Sequence, residues 1–290
     1  MRRLLALAAA MAGASALAQI PDVTIKVDAG LTYRSVRNGE TTLRWYDGFG
    51  KHSTVGLLFW LEPGWRVYVS ERLQRIEGDG DNEQLDEYYV EDPGIWRLGK
   101  QYLPFGRGLL LRESARAARG DTNLLVERLP ISAAVFDNGP SRDQGVVARF
   151  GEGVAFSVAV GRHLGIQGTS LTAIRRPEQS PGAGAGHRFV AGVDFGTHWG
   201  RYPIEGEFAL FRNGHTASDG DLEVSDIVLH LQRAKGRHLA AAWSRNWTAS
   251  EDFFRVTGAI ALTNQLWAEP YVRATRRGVY DVGVSVRVKL

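Results

Sequence analysis

The chain has 290 residues, with 35 lysines and arginines against 32 aspartates and glutamates, and it has no cysteine. The formal charge of +3 is close to balance and excludes the strongly basic character of a nucleic-acid-binding domain, so we expect no nucleic-acid partner. Without cysteine there is no disulfide framework, and stability must come from a packed core or from a closed sheet.

The first 18 residues have the organisation of a secretory signal peptide. Two arginines follow the initial methionine, an apolar stretch runs from Leu4 to Ala14, and the small-residue site Ala16-Leu17-Ala18 comes next. We therefore predict a cleaved signal peptide over residues 1–18 and one exported domain over residues 19–290. After this segment no apolar run reaches the roughly 18 residues that a transmembrane helix needs.

Most of the remaining chain alternates apolar residues with polar or small ones, which is the pattern of strands whose two faces meet different media. Val23, Ile25 and Val27 begin the first such run, and Pro-Gly at positions 63–64 and 93–94 marks tight turns between later runs. The predicted strands are 23–32, 53–61, 65–73, 88–92, 95–102, 131–136, 143–150, 154–161, 188–195, 203–211, 222–232, 237–247, 252–262, 266–274 and 279–290.

On the face opposite the apolar one, these strands carry charged residues, and this feature decides the fold class. Glu205 and Glu207 alternate with apolar residues in one strand, and Arg287 and Lys289 do so in the last. Burying such a face in a two-sheet sandwich would be costly, whereas a wet lumen accepts it. The mean hydropathy of −0.21 is compatible with this arrangement because only alternate residues would face lipid. We predict an all-β fold, a transmembrane antiparallel up-and-down β-barrel of about 14 to 16 strands, closed by pairing of the last strand with the first.

Two groups of arginines are candidates for lining a pore and setting anion selectivity. The first group shares the polar face of predicted strands, where an unpaired charge avoids the lipid; its members are Arg66, Arg72, Arg97 and Arg149. Each of these either contacts passing anions or is a structural residue paired with a carboxylate such as Glu205 or Glu207.

The second group lies in residues 106–128, which lack clean alternation; its members are Arg107, Arg112, Arg116, Arg119 and Arg128. This segment is predicted either to fold into the pore, where a ring of cations would favour anions, or to be an exposed loop with solvated charge.

Several short motifs resemble the outer-membrane porins of the phosphate-selective O and P type. They are Arg97-Leu98-Gly99-Lys100, the turn Leu103-Pro104-Phe105-Gly106, the segment Asn123 to Arg128, and Arg142-Asp143-Gln144-Gly145-Val146. The resemblance covers about a quarter of the chain. It implies a 16-stranded homotrimeric diffusion channel in the bacterial outer membrane, with a lumen of arginine and lysine that favours anions. Its partners would then be outer-membrane lipid, the barrel-assembly machinery and small hydrophilic or anionic solutes.

The predicted function is passive diffusion of small hydrophilic solutes through an anion-preferring porin, without cofactor, metal or bond chemistry. One alternative is a narrow or non-conducting structural barrel, because the chain is short for 16 strands. An outer-membrane barrel enzyme and a secreted all-β binding module are further alternatives. The enzyme is disfavoured because the sequence has neither a Gly-x-Ser-x-Gly elbow nor a phosphate-binding loop.

Overall fold

The computed structural model describes residues 22–36, 39, 41–44, 53–61, 64–73, 84–110, 114–124, 129–139, 144–164, 187–214 and 221–290. The predicted signal peptide, residues 1–18, lies outside the described residues. In the described ranges no helix is both long and apolar enough to cross a membrane.

Most of the described residues form strands. These are β1 (Val23–Val36), β2 (Thr41–Arg44), β3 (Thr54–Leu61), β4 (Trp65–Arg72), β5 (Leu85–Asp92), β6 (Trp96–Tyr102), β7 (Ser114–Leu124), β8 (Leu129–Asp137), β9 (Gln144–Phe150), β10 (Val154–Leu164), β11 (His187–Trp199), β12 (Tyr202–Gly214), β13 (Leu222–Ala234), β14 (Arg237–Asn246), β15 (Glu251–Ala261), β16 (Leu266–Thr275) and β17 (Gly278–Lys289).

The strands close into a 16-stranded antiparallel barrel, which confirms the predicted fold class. From β3 to β17 each strand pairs with the next along the chain, and β17 pairs with β1, where Thr32 lies opposite Ser285. The short β2 and the longer β3 both pair with the other edge of β1 and so share one strand position. Closure leaves no unpaired edge, as predicted for the last strand.

The two ends of the barrel differ in their connections. At the turn end, short turns such as residues 200–201 and 235–236 join neighbouring strands, and the backbone of Leu290 pairs there with Val27. The opposite end, here called the loop end, carries the connection that follows β6, of which residues 103–110 are described. This asymmetry matters because the connection after β6 turns back into the barrel.

Apolar side chains cover the outer wall and alternate with inward-facing polar ones. On β8 the outward Val135 is 62% exposed, while the inward Phe136 is buried. Val146 and Val160 continue the outward apolar row on β9 and β10. An exposed apolar face of this extent is stable against lipid and would favour aggregation in water.

Replacing Ala133 by arginine tests whether the outer wall faces lipid. Ala133 points outward at the middle of β8, between Gly120 and Ala148 on the neighbouring strands. A cation at bilayer midplane costs about 2–4 kcal/mol, so we expect the free energy of unfolding in lipid vesicles to fall by that amount. The matched control is Thr122→Arg, outward near the turn end of β7, where the cost is about 0–1 kcal/mol. Equal stability losses for the two variants would contradict a lipid-facing wall.

Two strands were not predicted, and β7 is the informative one. Residues 106–128 were read as a loop, but residues 114–124 form β7, which pairs with β6 and β8. Its inward side chains include Ala115 and Ala117, which are buried in an apolar cluster inside the barrel. The outward face carries Arg116. In this part of β7 the apolar side chains therefore point inward and the charged one points outward, which is the reverse of the pattern in the other strands.

The interior apolar cluster exists because part of the loop after β6 lies inside the barrel. Phe105 and Leu110 of that loop pack with the inward residues Phe136, Val190 and Phe211. All five side chains are almost fully buried. The lumen therefore has an apolar region on one side, and its charged region lies elsewhere.

Candidate functional site in the barrel lumen

Residues 103–110, here called the inner segment, are held against the inside of the wall by backbone hydrogen bonds. The N–H groups of Arg107 and Leu109 donate to Glu207 Oε2 at 3.0 and 2.9 Å, and the N–H of Gly106 donates to Ser157 Oγ at 2.9 Å. Glu207 is 1% exposed, so its carboxylate is occupied by the segment. Gly106 has φ of 53° and rests on this carboxylate, where a Cβ atom would overlap it.

The inner face of β11 provides the space that the inner segment fills. Gly192, Asp194 and Gly196 occupy successive inward positions on that strand. A Cβ atom at Gly192 would come within 2.8 Å of Phe105 Cζ, and one at Gly196 would overlap the guanidinium of Arg107. The two glycines thus admit a phenyl ring and a guanidinium at positions where any other residue would displace them.

Arg107 joins the inner segment to a chain of charged and polar contacts, here called the anchor network. Its Nε lies 3.4 Å from Asp194 Oδ1, and its Nη1 lies 3.4 Å from Glu205 Oε2. Asp194 is fully buried and also accepts two hydrogen bonds from Arg149 at 2.7 and 2.9 Å. Glu205 Oε1 is 2.6 Å from His230 Nε2, so both of its oxygens have partners.

On the far side of the barrel, a row of inward side chains crosses five neighbouring strands. It consists of Trp60, Arg66, Glu91, Arg97 and Arg119, each lying opposite the next, and is here called the arginine row. Glu91 Oε1 binds Arg66 Nη2 at 2.8 Å, and Glu91 Oε2 binds Arg97 Nη2 at 2.7 Å. Arg119 pairs with Asp121 at 2.8 Å. The members of the row on β3 to β6 each lie one residue from the turn-end terminus of their strand, and Arg119 lies at the middle of β7.

Five further inward arginines of the described strands are also paired with carboxylates. Arg72 contacts Asp86, Arg255 contacts Asp226, Arg273 and Arg34 contact Asp281, and Arg287 contacts Asp28 and Glu269. Because each guanidinium has a carboxylate partner, much of its charge is compensated at the wall. The electrostatic potential in the lumen therefore depends on the excess of arginines over carboxylates in each cluster, and the number of arginines alone does not determine it.

Removing Asp281 is predicted to weaken the barrel near its closure. Asp281 is 1% exposed and binds Arg273 Nη2 at 2.6 Å and Arg34 Nε at 3.0 Å. Asp281→Ala leaves both cations without this partner, so the free energy of unfolding should fall by about 3 kcal/mol, the lower end for a broken buried pair. Asp221→Ala is the control, because this exposed carboxylate lies 3.5 Å from Arg212 and such pairs contribute about 0–1 kcal/mol. The temperature at which the band of folded protein disappears from a gel measures the stability of both variants. Equal decreases of this temperature would count against a structural role of Asp281.

The predicted site residues divide into three groups. Those that point into the barrel are Arg66, Arg72, Arg97, Arg107, Arg119 and Arg149. Arg116 is a correction: it lies on the outer face of β7, and its Nε donates to Tyr88 Oη at 3.1 Å. Arg112 and Arg128 lie outside the described residues. The role of the first group in selectivity remains a prediction.

Sequence reasoning identified the inward position of Glu205 and Glu207 but missed what they bind. It also missed Ser157, Asp194 and the two glycines of β11 as a receiving surface for the inner segment. A usable signal was present, because Gly192, Asp194 and Gly196 follow each other at the period of two on the polar face of a strand. Within the described ranges, no group of three or more histidines, aspartates and glutamates is arranged to hold a metal ion.

No protein-family model matches the chain, and no curated protein matches it by sequence. Solved structures do match. An anion-selective porin from Comamonas acidovorans has a TM-score of 0.56 at 11% identity, with 93% of this chain and 100% of that chain covered. The outer membrane channel DcaP of Acinetobacter baumannii has a TM-score of 0.59 at 9% identity, with 93% and 97% covered.

A third match is OmpT, an outer membrane protein of Vibrio cholerae in its trimer form, with a TM-score of 0.58 at 10% identity and coverage of 93% and 99%. The chain therefore has the barrel fold of outer-membrane porins over nearly its whole length. At these identities the likeness establishes the fold, and the function has to be argued from the lumen.

Proposed function

We propose that this protein is an outer-membrane porin through which small hydrophilic solutes diffuse passively. The observation that carries the proposal is the position of the inner segment, which is attached to the wall at β10–β12 while the charged arginine row lies on the far wall. Such an arrangement narrows a barrel to a polar passage between the segment and the opposite wall. Selection then follows from size and electrostatics, without bond chemistry.

A modest anion preference is part of the proposal. The arginine row with Asp121 holds three arginines and two carboxylates, a surplus of 3 − 2 = +1. The side chains of Arg66 and Arg97 are 25% and 23% exposed, whereas that of Glu91 is 6% exposed, so the row presents cations to the lumen. The named anion selectivity of the Comamonas acidovorans porin agrees with this direction.

The finer expectations belong to the same proposal. They are export by the signal peptide of residues 1–18, insertion by the barrel-assembly machinery, contact with outer-membrane lipid, and a homotrimer. The trimer form of the Vibrio cholerae protein is consistent with the last of these. The resemblance to the phosphate-selective O and P porins remains a prediction.

A narrow or non-conducting barrel is the second candidate, and one observation favours it. Phe105 and Leu110 pack with inward side chains such as Phe136 and Phe211 and close the lumen on one side. If this cluster together with the remaining connections fills the bore, the protein has a structural role in the membrane.

Planar-bilayer recording of the refolded protein decides between these candidates. A porin gives discrete conductance steps, and a KCl gradient gives a reversal potential on the anion side. If protein whose gel mobility shows that it is folded gives no conductance steps, the channel proposal is overturned. A reversal potential on the cation side would overturn the anion preference alone.

A further inference from the structure

We propose that the arginine row, together with the ring of Tyr89, is a binding site for aromatic carboxylates on the solute path. The inference rests on the proposed function because it names the solute class that the passage would favour. It goes beyond a general anion preference, since the site recognises a planar ring beside a carboxylate.

The charge of the site comes from two guanidinium groups that share one carboxylate. Glu91 uses Oε1 for Arg66 and Oε2 for Arg97, so both oxygens are engaged while one positive charge remains. The N–H groups of a guanidinium match a carboxylate in a planar, bidentate geometry. Since Arg66 and Arg97 are the partly exposed members and Glu91 is buried, an incoming carboxylate meets donors before it meets Glu91.

Aromatic rings flank both guanidinium groups. The guanidinium of Arg66 lies 4.9 Å from the ring centroid of Trp60, and that of Arg97 lies 4.0 Å from the centroid of Tyr89. Tyr89 in turn packs on Tyr68 with a centroid distance of 5.4 Å, which fixes its orientation. Each arginine is therefore held beside a ring by a cation–π contact and by its ion pair with Glu91.

Trp60 provides the surface for the ring of the solute. It is 42% exposed although it points into the barrel at the turn end, next to Arg66. The part of the indole that Arg66 leaves exposed is available for stacking with an aromatic solute. A benzoate ion stacked on the indole would place its carboxylate beside the Arg66 guanidinium, so one small molecule satisfies both parts of the site.

The test uses benzoate and cyclohexanecarboxylate, which have the same charge and similar size but differ in having a planar aromatic ring. Saturation-transfer NMR on the folded barrel in detergent measures binding independently of conduction, and current block in planar bilayers measures it on the path. We expect benzoate to bind roughly two- to ten-fold more tightly than cyclohexanecarboxylate, with acetate and inorganic phosphate weaker still.

Three variants assign this difference to residues. Trp60→Leu is expected to reduce benzoate binding to the level of cyclohexanecarboxylate, whereas Trp60→Phe keeps most of the difference. Arg66→Gln with Arg97→Gln is expected to abolish binding of both acids. Trp267→Leu is the matched control, because Trp267 is another inward tryptophan at the turn end, with Lys289 Nζ 5.7 Å from its ring centroid. The arginine opposite it, Arg287, differs from Arg66 in that it binds two carboxylates, those of Asp28 and Glu269.

Equal binding of the two acids by the wild type, or an equal loss in Trp60→Leu and Trp267→Leu, would overturn the site. Stronger binding of phosphate than of benzoate would instead assign the arginines to inorganic anions and would also overturn it. A folded barrel that binds benzoate but gives no conductance steps would overturn the porin and leave the site standing, so the two failures are distinguishable.

Discussion

Glu207→Ala is expected to release the inner segment and to raise the single-channel conductance. The carboxylate accepts the backbone N–H groups of Arg107 and Leu109, and each hydrogen bond to a charged acceptor contributes about 1.5–3 kcal/mol. Loss of both leaves the packing of Phe105, the Ser157 contact and the ion pairs of Arg107 to hold the segment, so it is held less firmly. Conductance in planar bilayers should rise by about two-fold, because the passage widens when the segment leaves the wall.

The control for this prediction is Glu205→Ala on the same strand. Glu205 contacts the side chains of Arg107 and His230, whereas Glu207 holds the backbone of the inner segment, so removal of Glu205 should change conductance little. Gly106→Val is a second route to the same release, since its side chain would overlap Glu207. Protease accessibility of the segment reports release directly. If conductance and accessibility stay unchanged in both Glu207→Ala and Gly106→Val, the inner segment does not limit the passage.

Asp194→Asn is expected to shift ion selectivity toward anions. Asp194 is fully buried and pairs with both Arg149 and Arg107, so its neutralisation removes one negative charge, leaves Arg149 without this partner and leaves Arg107 with Glu205. In water a unit charge about 8 Å from the ion path contributes about 0.5 kcal/mol, with opposite sign for the two ions, so the chloride-to-potassium permeability ratio should rise roughly two- to five-fold. The reversal potential in a KCl gradient measures the ratio.

Two further variants serve as comparisons, one with an expected shift in the opposite direction and one with no expected shift. Arg149→Gln removes a cation from the same pair and should move the reversal potential toward cations. Asp137→Asn removes the same charge as Asp194→Asn but from the outer face of β8, and it should leave selectivity unchanged. A similar shift from Asp137→Asn and Asp194→Asn would mean that overall charge, and not the anchor network, controls selectivity.

The barrel was predictable because the period of two is a local property of a strand. Arg97 and Arg149 occupy the polar parity of their strands, and both point into the barrel, where Glu91 and Asp194 bind them. The last strand was predicted to meet the first, and Thr32 lies opposite Ser285. In each case residues that are neighbours in the chain are enough to predict which side chains point inward, because one face of a strand contacts lipid and the other contacts water.

The failure at β7 has the same physical origin. Its inward positions Ala115 and Ala117 are apolar and belong to the same buried cluster as Phe105 of the inner segment. Its outward Arg116 lies near the loop end. The alternation of residues along a strand does not show that the lumen is apolar at one place. The sequence therefore predicts a loop where β7 lies and a pore-lining position for Arg116.

The sequence by itself therefore determined the alternation and the closed sheet, and it placed a set of arginines on the inward face. Only the tertiary structure decided which connection enters the lumen and which carboxylate meets each arginine. Arg107 and Glu207 are 100 residues apart in the chain, and Glu91 links arginines on the two strands beside its own. Contacts of this kind depend on how many strands separate two residues around the barrel, a quantity that no local pattern contains.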